Sequence, residues 1–240
     1  MTPEGEDRDT CVLGMSAVLV DVLQNGRSAV GTWLNHYSAM QCLDGAVPLE
    51  DFDVVGIDGI LLAALVGSDE PRTSADLVLP EVFERCTHLR VALIGSTPST
   101  LAAVRAKLES ITDHRVVLAV DGYAGLPPEP ELRRALAESS PDLVVVGLGA
   151  PRQDHLALRL RAPRRLVVTC GGWLDQYPQD DYYPSWAYPL RLNWLVRLCR
   201  EPGRLWRRYT IDAVAAVRRR KALRAFTTRS RTAGTIGSSC

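Results

Sequence analysis

What this sequence lacks narrows it first. Six cysteines (Cys11, Cys42, Cys86, Cys170, Cys199 and Cys240) are scattered, and no two form a C-x-x-C pair. That argues against a zinc knuckle and against a disulfide framework. The four histidines (His36, His88, His114 and His155) show no metal-ligand spacing, so no metal site is expected. No apolar run approaches the roughly 18 residues of a spanning helix; the longest strong stretch is Gly59–Gly67. The amino terminus is acidic and lacks the basic and apolar regions of a signal peptide, which predicts a cytosolic chain. G-x-S-x-G is absent, so there is no nucleophile elbow. G-x-G-x-x-G and the Walker lysine are absent too. Net charge is also missing: 28 basic and 28 acidic residues cancel over 240 positions.

That zero conceals an asymmetry. Residues 197–231 hold twelve basic side chains against Glu201 and Asp212, a local excess of ten positive charges. The rest of the chain carries the matching excess of ten negative charges. A basic end on an acidic body points to an anionic partner.

What is present is an alternation of apolar strands and helical segments. Ser28–Trp33, Phe52–Gly56, Arg90–Ile94, Arg115–Val120, Asp142–Leu148 and Leu166–Cys170 read as strands. Asn35–Leu43, Ile60–Val66, the stretch after Pro98 through Leu108, Glu129–Glu138 and the stretch ending near Leu160 read as helices. The expected fold is α/β: a Rossmann-like, mostly parallel sheet with helices on both faces, plus a basic C-terminal helical appendage. Ligands in such folds bind beyond the carboxyl ends of the strands. The expected division is a disordered lead-in over 1–10, an α/β domain over 11–189, basic helices over 190–228 and a flexible tail over 229–240. Val12–Leu23 is expected to open the fold as a strand and a short helix, and Trp173–Tyr188 is read as a loop or lid. In Gly203–Phe226, Trp206, Tyr209, Ala213 and Val217 recur at helical spacing among arginines, a pattern that suits a membrane surface.

Several residues carry candidate chemistry. In Gly147-Leu-Gly149-Ala-Pro151-Arg152-Gln153, glycine lets backbone approach a ligand, and the helix that follows offers free N–H groups to phosphate. Arg152 could pair with that phosphate and Gln153 could bond a sugar or base. The competing reading is a tight turn with a solvated tip. Asp58 stands between a strand and a helix. It is either a general base or, favoured on spacing alone, a plain N-cap. Thr32 and Asn35 either line the crevice or close a strand-end turn, the turn again being favoured. Asp121-Gly122-Tyr123 could bind substrate, although Asp-Gly favours a simple turn. Gly95 opens a Gly-Ser-Thr-Pro loop of phosphate-loop composition, a weak signal.

Read in order, these pieces resemble the WecG/TagA/CpsF family of bacterial glycosyltransferases. Asp121-Gly-Tyr123 followed by Pro141-Asp-Leu-Val-Val-Val-Gly-Leu-Gly-Ala-Pro-Arg-Gln-Asp154 is similar to the central signature of that family. Gly171-Gly-Trp-Leu-Asp175 resembles its G-G-x-[FL]-D stretch, and Leu192–Tyr209 resembles its L-E-W-x-x-R-L-x-x-E-P segment. Thr32-x-x-Asn35 and Ile57-Asp58-Gly59 match its T-x-N and P-D-G elements more loosely. The sequence departs from the family pattern at Ile57, Asp154, Tyr183 and Asn193, and an R-x-x-G-x-D element shrinks to Arg72–Asp76. The resemblance implies an inverting transfer of an N-acetylmannosamine-type or other hexose, such as glucose, from a UDP-sugar. The implied acceptor is a polyprenyl-diphosphate-linked sugar on the inner face of the cytoplasmic membrane, in cell-surface polysaccharide synthesis. It also implies Asp58 as the base, no cofactor or metal, and C-terminal helices that close over the site and hold the membrane. Leaving-group charge would fall to the helix starts near Gly95 and Gly149, to Arg152, and to tail arginines such as Arg207 and Arg208. A homo-oligomer is compatible with the sequence. Two alternatives stand beside this reading: a nucleotide-dependent oxidoreductase, weakened by the missing G-x-G-x-x-G, and a nucleic-acid-binding module, weakened by the acidic body.

Overall fold

The computed structural model describes residues 3–67, 72–179, 182–184 and 192–232. In chain order they form α1 (Pro3–Gln24), β1 (Ala29–Leu34), α2 (His36–Leu43), β2 (Val54–Ile57), α3 (Ile60–Val66), α4 (Ala75–Arg85), β3 (Arg90–Gly95), α5 (Pro98–Ile111) and β4 (Arg115–Val120). There follow α6 (Glu129–Ser139), β5 (Leu143–Gly147), α7 (Arg152–Arg159), β6 (Leu166–Thr169) and α8 (Trp173–Gln176). The C-terminal part holds α9 (Asn193–Arg200), α10 (Pro202–Arg207), a π turn over Arg208–Asp212, α11 (Ala213–Arg218) and α12 (Arg220–Thr232).

All six strands run parallel in the order β2-β1-β6-β5-β3-β4. Their continuous apolar runs follow from cover on both faces. In β5, Leu143 and Val145 point to one layer while Val144 and Val146 point to the other, the period of two that a strand imposes. The first layer holds α1, α4, α5 and α8; the second holds α2, α3, α6 and α7. Ala216 of α11 and Leu223 of α12 are fully buried in that second layer. The basic helices therefore share a core with α2 and α3. Arg219 adds an ion pair to Asp44 (2.6 Å).

Three segments depart from the sequence reading. One helix, α1, covers both the expected lead-in and the strand and short helix expected over Val12–Leu23. Val12, Met15, Leu19 and Val22 recur at helical spacing and bury against Val78, Leu79 and Val82 of α4. A strand would have sent half of them to solvent. The second departure is α4 itself, which the sequence reading left without an element. Pro80 lies inside it and reads as a breaker, yet it sits on the exposed side. In the expected loop Trp173–Tyr188, the described residues include α8, and Trp173 and Leu174 are core residues. The expected tail over 233–240 lies outside the described residues.

The carboxyl edge of β3, β4 and β5 is closed by glycine. Gly95 has φ +132°, and a Cβ there would stand 2.3 Å from the Gly147 carbonyl oxygen. A Cβ on Gly122 would stand 2.6 Å from the Gly95 Cα. Three backbones thus meet without side chains between them, and the open crevice lies on the other side, above β1, β2 and β6.

Candidate active site

Four loops build the crevice. Trp33 and Asn35 come from the end of β1, Asp58 from the end of β2, Gly149 and Gln153 from the turn after β5, and Thr169 to Gly172 from the end of β6. The Asp58 N–H donates to the Leu34 carbonyl (2.6 Å), which ties the β2 end to β1. Asp58 does not cap α3: Gly59 holds the N-cap position and no side chain bonds there. The helix that is capped by a side chain is α2: Asn35 Oδ1 accepts from the N–H groups of Tyr37 (3.0 Å) and Ser38 (3.1 Å). The Ser38 hydroxyl accepts from the Asn35 N–H in return (2.9 Å), a complete capping box that fixes the β1–α2 turn.

Three arginines bring positive charge to the carboxylate. Arg72 Nε lies 3.3 Å from Asp58 Oδ1. Burial works against the Arg72 charge, but Asp76 and then Asp58 outweigh it and hold the guanidinium firmly protonated. Arg197 of α9 is likewise disfavoured by burial, and Asp58 is the carboxylate that favours its charge. Its Nε is buried with no hydrogen-bond partner among the described residues, and its Nη2 fills the space that a Cβ on Gly172 would need. Arg208 stacks over the Tyr37 ring at 5.3 Å. Its backbone carbonyl accepts from His36 Nε2 (2.9 Å), so the neutral ring carries its proton there. Burial, ahead of the opposing hydrogen bond to Arg208, lowers the His36 pKa and favours that neutral form.

Asp58, Asn35, Arg72, Arg197 and Arg208 each face two compartments. The inner one is polar and ends against Gly149, Gln153, Thr169 and Gly172. The outer one is apolar, walled by Ile60, Leu61 and Ala64 of α3 and by Trp194, Tyr209 and Ala213 of the C-terminal helices. Tyr209 lies between the His36 ring (6.0 Å) and the Trp194 ring (5.8 Å).

The structure brings together Asn35, Asp58, Gly149, Gln153 and Arg208 from the sequence candidates. Thr32 lies beneath them, buried. Its hydroxyl donates to Asp154 Oδ1 (2.9 Å) and pairs with the Thr169 hydroxyl (2.8 Å), so it supports the floor instead of lining it. Gln153 spends its Oε1 accepting the Gly149 N–H (3.1 Å), which removes that N–H from the set open to phosphate. Gly95, Asp121, Gly122, Tyr123, Pro151, Arg152 and Arg207 line neither compartment. Asp121 accepts from the Tyr123 N–H (2.8 Å) in a local turn, and Tyr123 projects into solvent. Arg152 faces a separate groove with Leu126, Leu148, His155, Leu156 and Arg159. Arg207 is exposed, one residue away from the cleft-facing Arg208. Arg72, Asp76, Arg197, Trp194 and Tyr209 were not among the candidates. Arg72 and Asp76 carried a signal only as a shrunken motif, and Arg197, Trp194 and Tyr209 only as parts of a helical one. Among the described residues, no group of three His, Cys, Asp or Glu is gathered, and no helix is long and apolar enough to cross a membrane.

A parallel doubly covered sheet with a charged crevice at its carboxyl edge defines a Rossmann-like α/β protein of the ligand-binding kind. The profile described as "Glycosyl transferase WecG/TagA/CpsF family" matches residues 12–232. The chain belongs to that family of glycosyltransferases. It is similar to a UDP-Gal:alpha-D-GlcNAc-diphosphoundecaprenol beta-1,4-galactosyltransferase of Shigella boydii, 29% identical over 194 residues that span 74% of this chain and 80% of that protein.

Proposed function

We propose that this enzyme transfers a hexose from a UDP-sugar to a sugar carried on a polyprenyl diphosphate, with inversion at the anomeric carbon. The observation that carries the reading is the position of Asp58 at the junction of a polar and an apolar compartment. The polar side carries the arginine charge that suits the diphosphate of a nucleotide sugar. The apolar side suits the lipid-linked acceptor, with Trp194 and Tyr209 offering aromatic faces to a sugar or prenyl unit. At the junction, Asp58 takes the proton from the acceptor hydroxyl as its oxygen attacks the anomeric carbon. The bond to the UDP oxygen breaks on the opposite face. Arg197 and Arg208 stabilise the negative charge that develops there. The name of the Shigella boydii relative supports a sugar diphosphate lipid as acceptor and a UDP-hexose as donor. Family membership sets aside the oxidoreductase and nucleic-acid readings.

The C-terminal helices suit an anionic membrane surface. Trp206, Ile211, Val214 and Val217 are exposed apolar residues on a stretch rich in arginine. We place the enzyme on the inner face of the cytoplasmic membrane as a peripheral protein.

The test is a transfer assay with a short-chain prenyl-diphosphate-linked N-acetylglucosamine and, in turn, UDP-galactose, UDP-glucose and UDP-N-acetylmannosamine. One donor is expected to give a disaccharide product by mass spectrometry. Asp58→Asn should lower kcat by about 10²–10⁴-fold while the Kd for the donor stays unchanged. No product from any UDP-hexose, or a parallel loss of donor binding in Asp58→Asn, would overturn the reading.

A further inference from the structure

Asp58 has a partner fixed in place by β2 itself. The Thr73 N–H donates to the Ile57 carbonyl (3.0 Å), and the Ile57 N–H donates to the Thr73 hydroxyl (3.2 Å). These two bonds dock the segment before α4 against the end of β2 and set Arg72 beside Asp58. The guanidinium then divides between two carboxylates. Its Nε is 3.3 Å from Asp58 Oδ1, and its Nη2 is 2.6 Å from Asp76 Oδ1. The shorter contact belongs to Asp76. The Ser74 hydroxyl donates to the same Asp76 oxygen. Asp76 also sits in the first turn of α4, where free N–H groups favour an anion. Its second oxygen, Oδ2, is buried without a hydrogen-bond partner among the described residues.

A carboxylate fully paired to arginine is a poor base, because the cation stabilises its charged form. A carboxylate with no partner is poorly oriented. We infer that Asp76 is a positioning residue for the transfer step, acting on Asp58 through Arg72. Asp76 takes the larger share of the guanidinium charge, so Arg72 orients Asp58 without quenching its basicity. This rests on the reading of Asp58 as the base. Among the described residues, the other titratable or charged groups that line the cleft with Asp58 are Arg197 of α9, Arg208 and Tyr209 of the π turn, His36 of α2 and Tyr183 near Arg72. A substitution at Asp76 leaves all of them in place.

The experiment is the pH profile of kcat for Asp76→Asn, across about pH 3–9, a range that reaches below the ordinary carboxylate value. With Asp76 neutral, Arg72 turns its full charge on Asp58. The expected result is a kcat lower by about tenfold at its maximum, an acidic limb moved to lower pH, and a KM for the UDP-hexose within about threefold of wild type. Asp76→Glu should restore both kcat and the limb. An unmoved acidic limb, or a loss confined to KM or to thermal stability, overturns the inference. Should Asp76→Asn fail to fold, Ser74→Ala removes one hydrogen bond to the same oxygen and is read the same way: a smaller shift in the same direction is expected, and none overturns it. Asp58→Asn run in parallel separates the two readings. Full turnover in that variant sinks the base itself. Lost turnover there with an unmoved limb in Asp76→Asn sinks only the role of Asp76.

Discussion

The Thr32 hydroxyl donates to the Asp154 carboxylate across 2.9 Å beneath the cleft, joining the middle of β1 to the first turn of α7. Asp154 is buried, and its other oxygen has no partner among the described residues. Burial pushes its pKa up to about 6, against the opposing pull of the Thr32 bond.

That carboxyl makes stability depend on pH with a definite sign. Its folded pKa lies above the ordinary value of 3.8, so the folded state holds a proton that the unfolded chain releases. The contribution is fully present below about pH 4 and is lost as pH rises through about 6. Asp154→Asn should flatten this slope. Thermal melts should show wild type losing at most about 3 kcal/mol relative to the variant between those limits, or roughly 5–10 °C in Tm. Parallel curves for the two proteins would contradict it.

Gly95→Ala should be among the most damaging single-atom changes in the chain. The new Cβ would meet the Gly147 carbonyl at 2.3 Å, in a backbone conformation that disfavours any side chain. Neither backbone can retreat without breaking the β3–β5 ladder. A loss of about 3 kcal/mol or more is expected, read as the urea midpoint. Gly45→Ala is the control: it has a positive φ but nothing within 4 Å of the new atom, so it should cost much less.

The arginines divide cleanly between those inside and outside the cleft. Arg197→Ala and Arg208→Ala should each weaken UDP-hexose binding by about tenfold or more, the value of a charged hydrogen bond. Arg152→Ala and Arg207→Ala should leave it within about threefold, because neither side chain lines the cleft. Calorimetric titration of the four variants decides the matter, and an Arg152 effect as large as that of Arg197 would restore the phosphate role that the sequence suggested.

Membrane docking should depend on apolar side chains as well as on charge. The triple substitution Trp206→Ser, Ile211→Ser, Val214→Ser removes exposed residues without touching the buried Ala216 or Leu223. In flotation with anionic vesicles, bound protein should drop by at least about tenfold, in line with the area withdrawn from lipid. Melting temperature should hardly move. Unchanged flotation would locate docking elsewhere.

The strands were legible because a doubly covered sheet writes itself as unbroken apolar runs, as in Leu143–Val146. α4 was not, because Pro80 looks the same in sequence whether it faces solvent or breaks a helix. Asn35 and Asp58 show why the site was only half readable. Both sit between a strand and a helix, where spacing reads either as a cap; Asn35 does cap its helix, α2, while α3 has no side-chain cap and the Asp58 side chain is free of that task. Arg72 and Arg197 have no site role in the sequence reading for a different reason. They lie 14 and 139 positions after Asp58 in the chain, and only the crossing of the C-terminal helices over α2 and α3 brings the second of them near. Arg152 misled in the opposite sense. It stands in the most specific motif of the chain, yet the first turn of α7 aims it away from the cleft while its neighbour Gln153 turns in.

The π turn over Arg208–Asp212 joins α10 to α11 without a break. Its widened turn accommodates roughly one residue more than an α-helical turn would, which offsets the phase of the two flanking helices by about 100°. Removing one residue from this segment would keep the rod but rotate one end against the other. Trp206 and Val214 would then no longer keep their present bearing on one another, while Arg208, within the same segment, would swing off Tyr37. The rod therefore ties the bearing of its outer residues to the angle at which Arg208 enters the cleft.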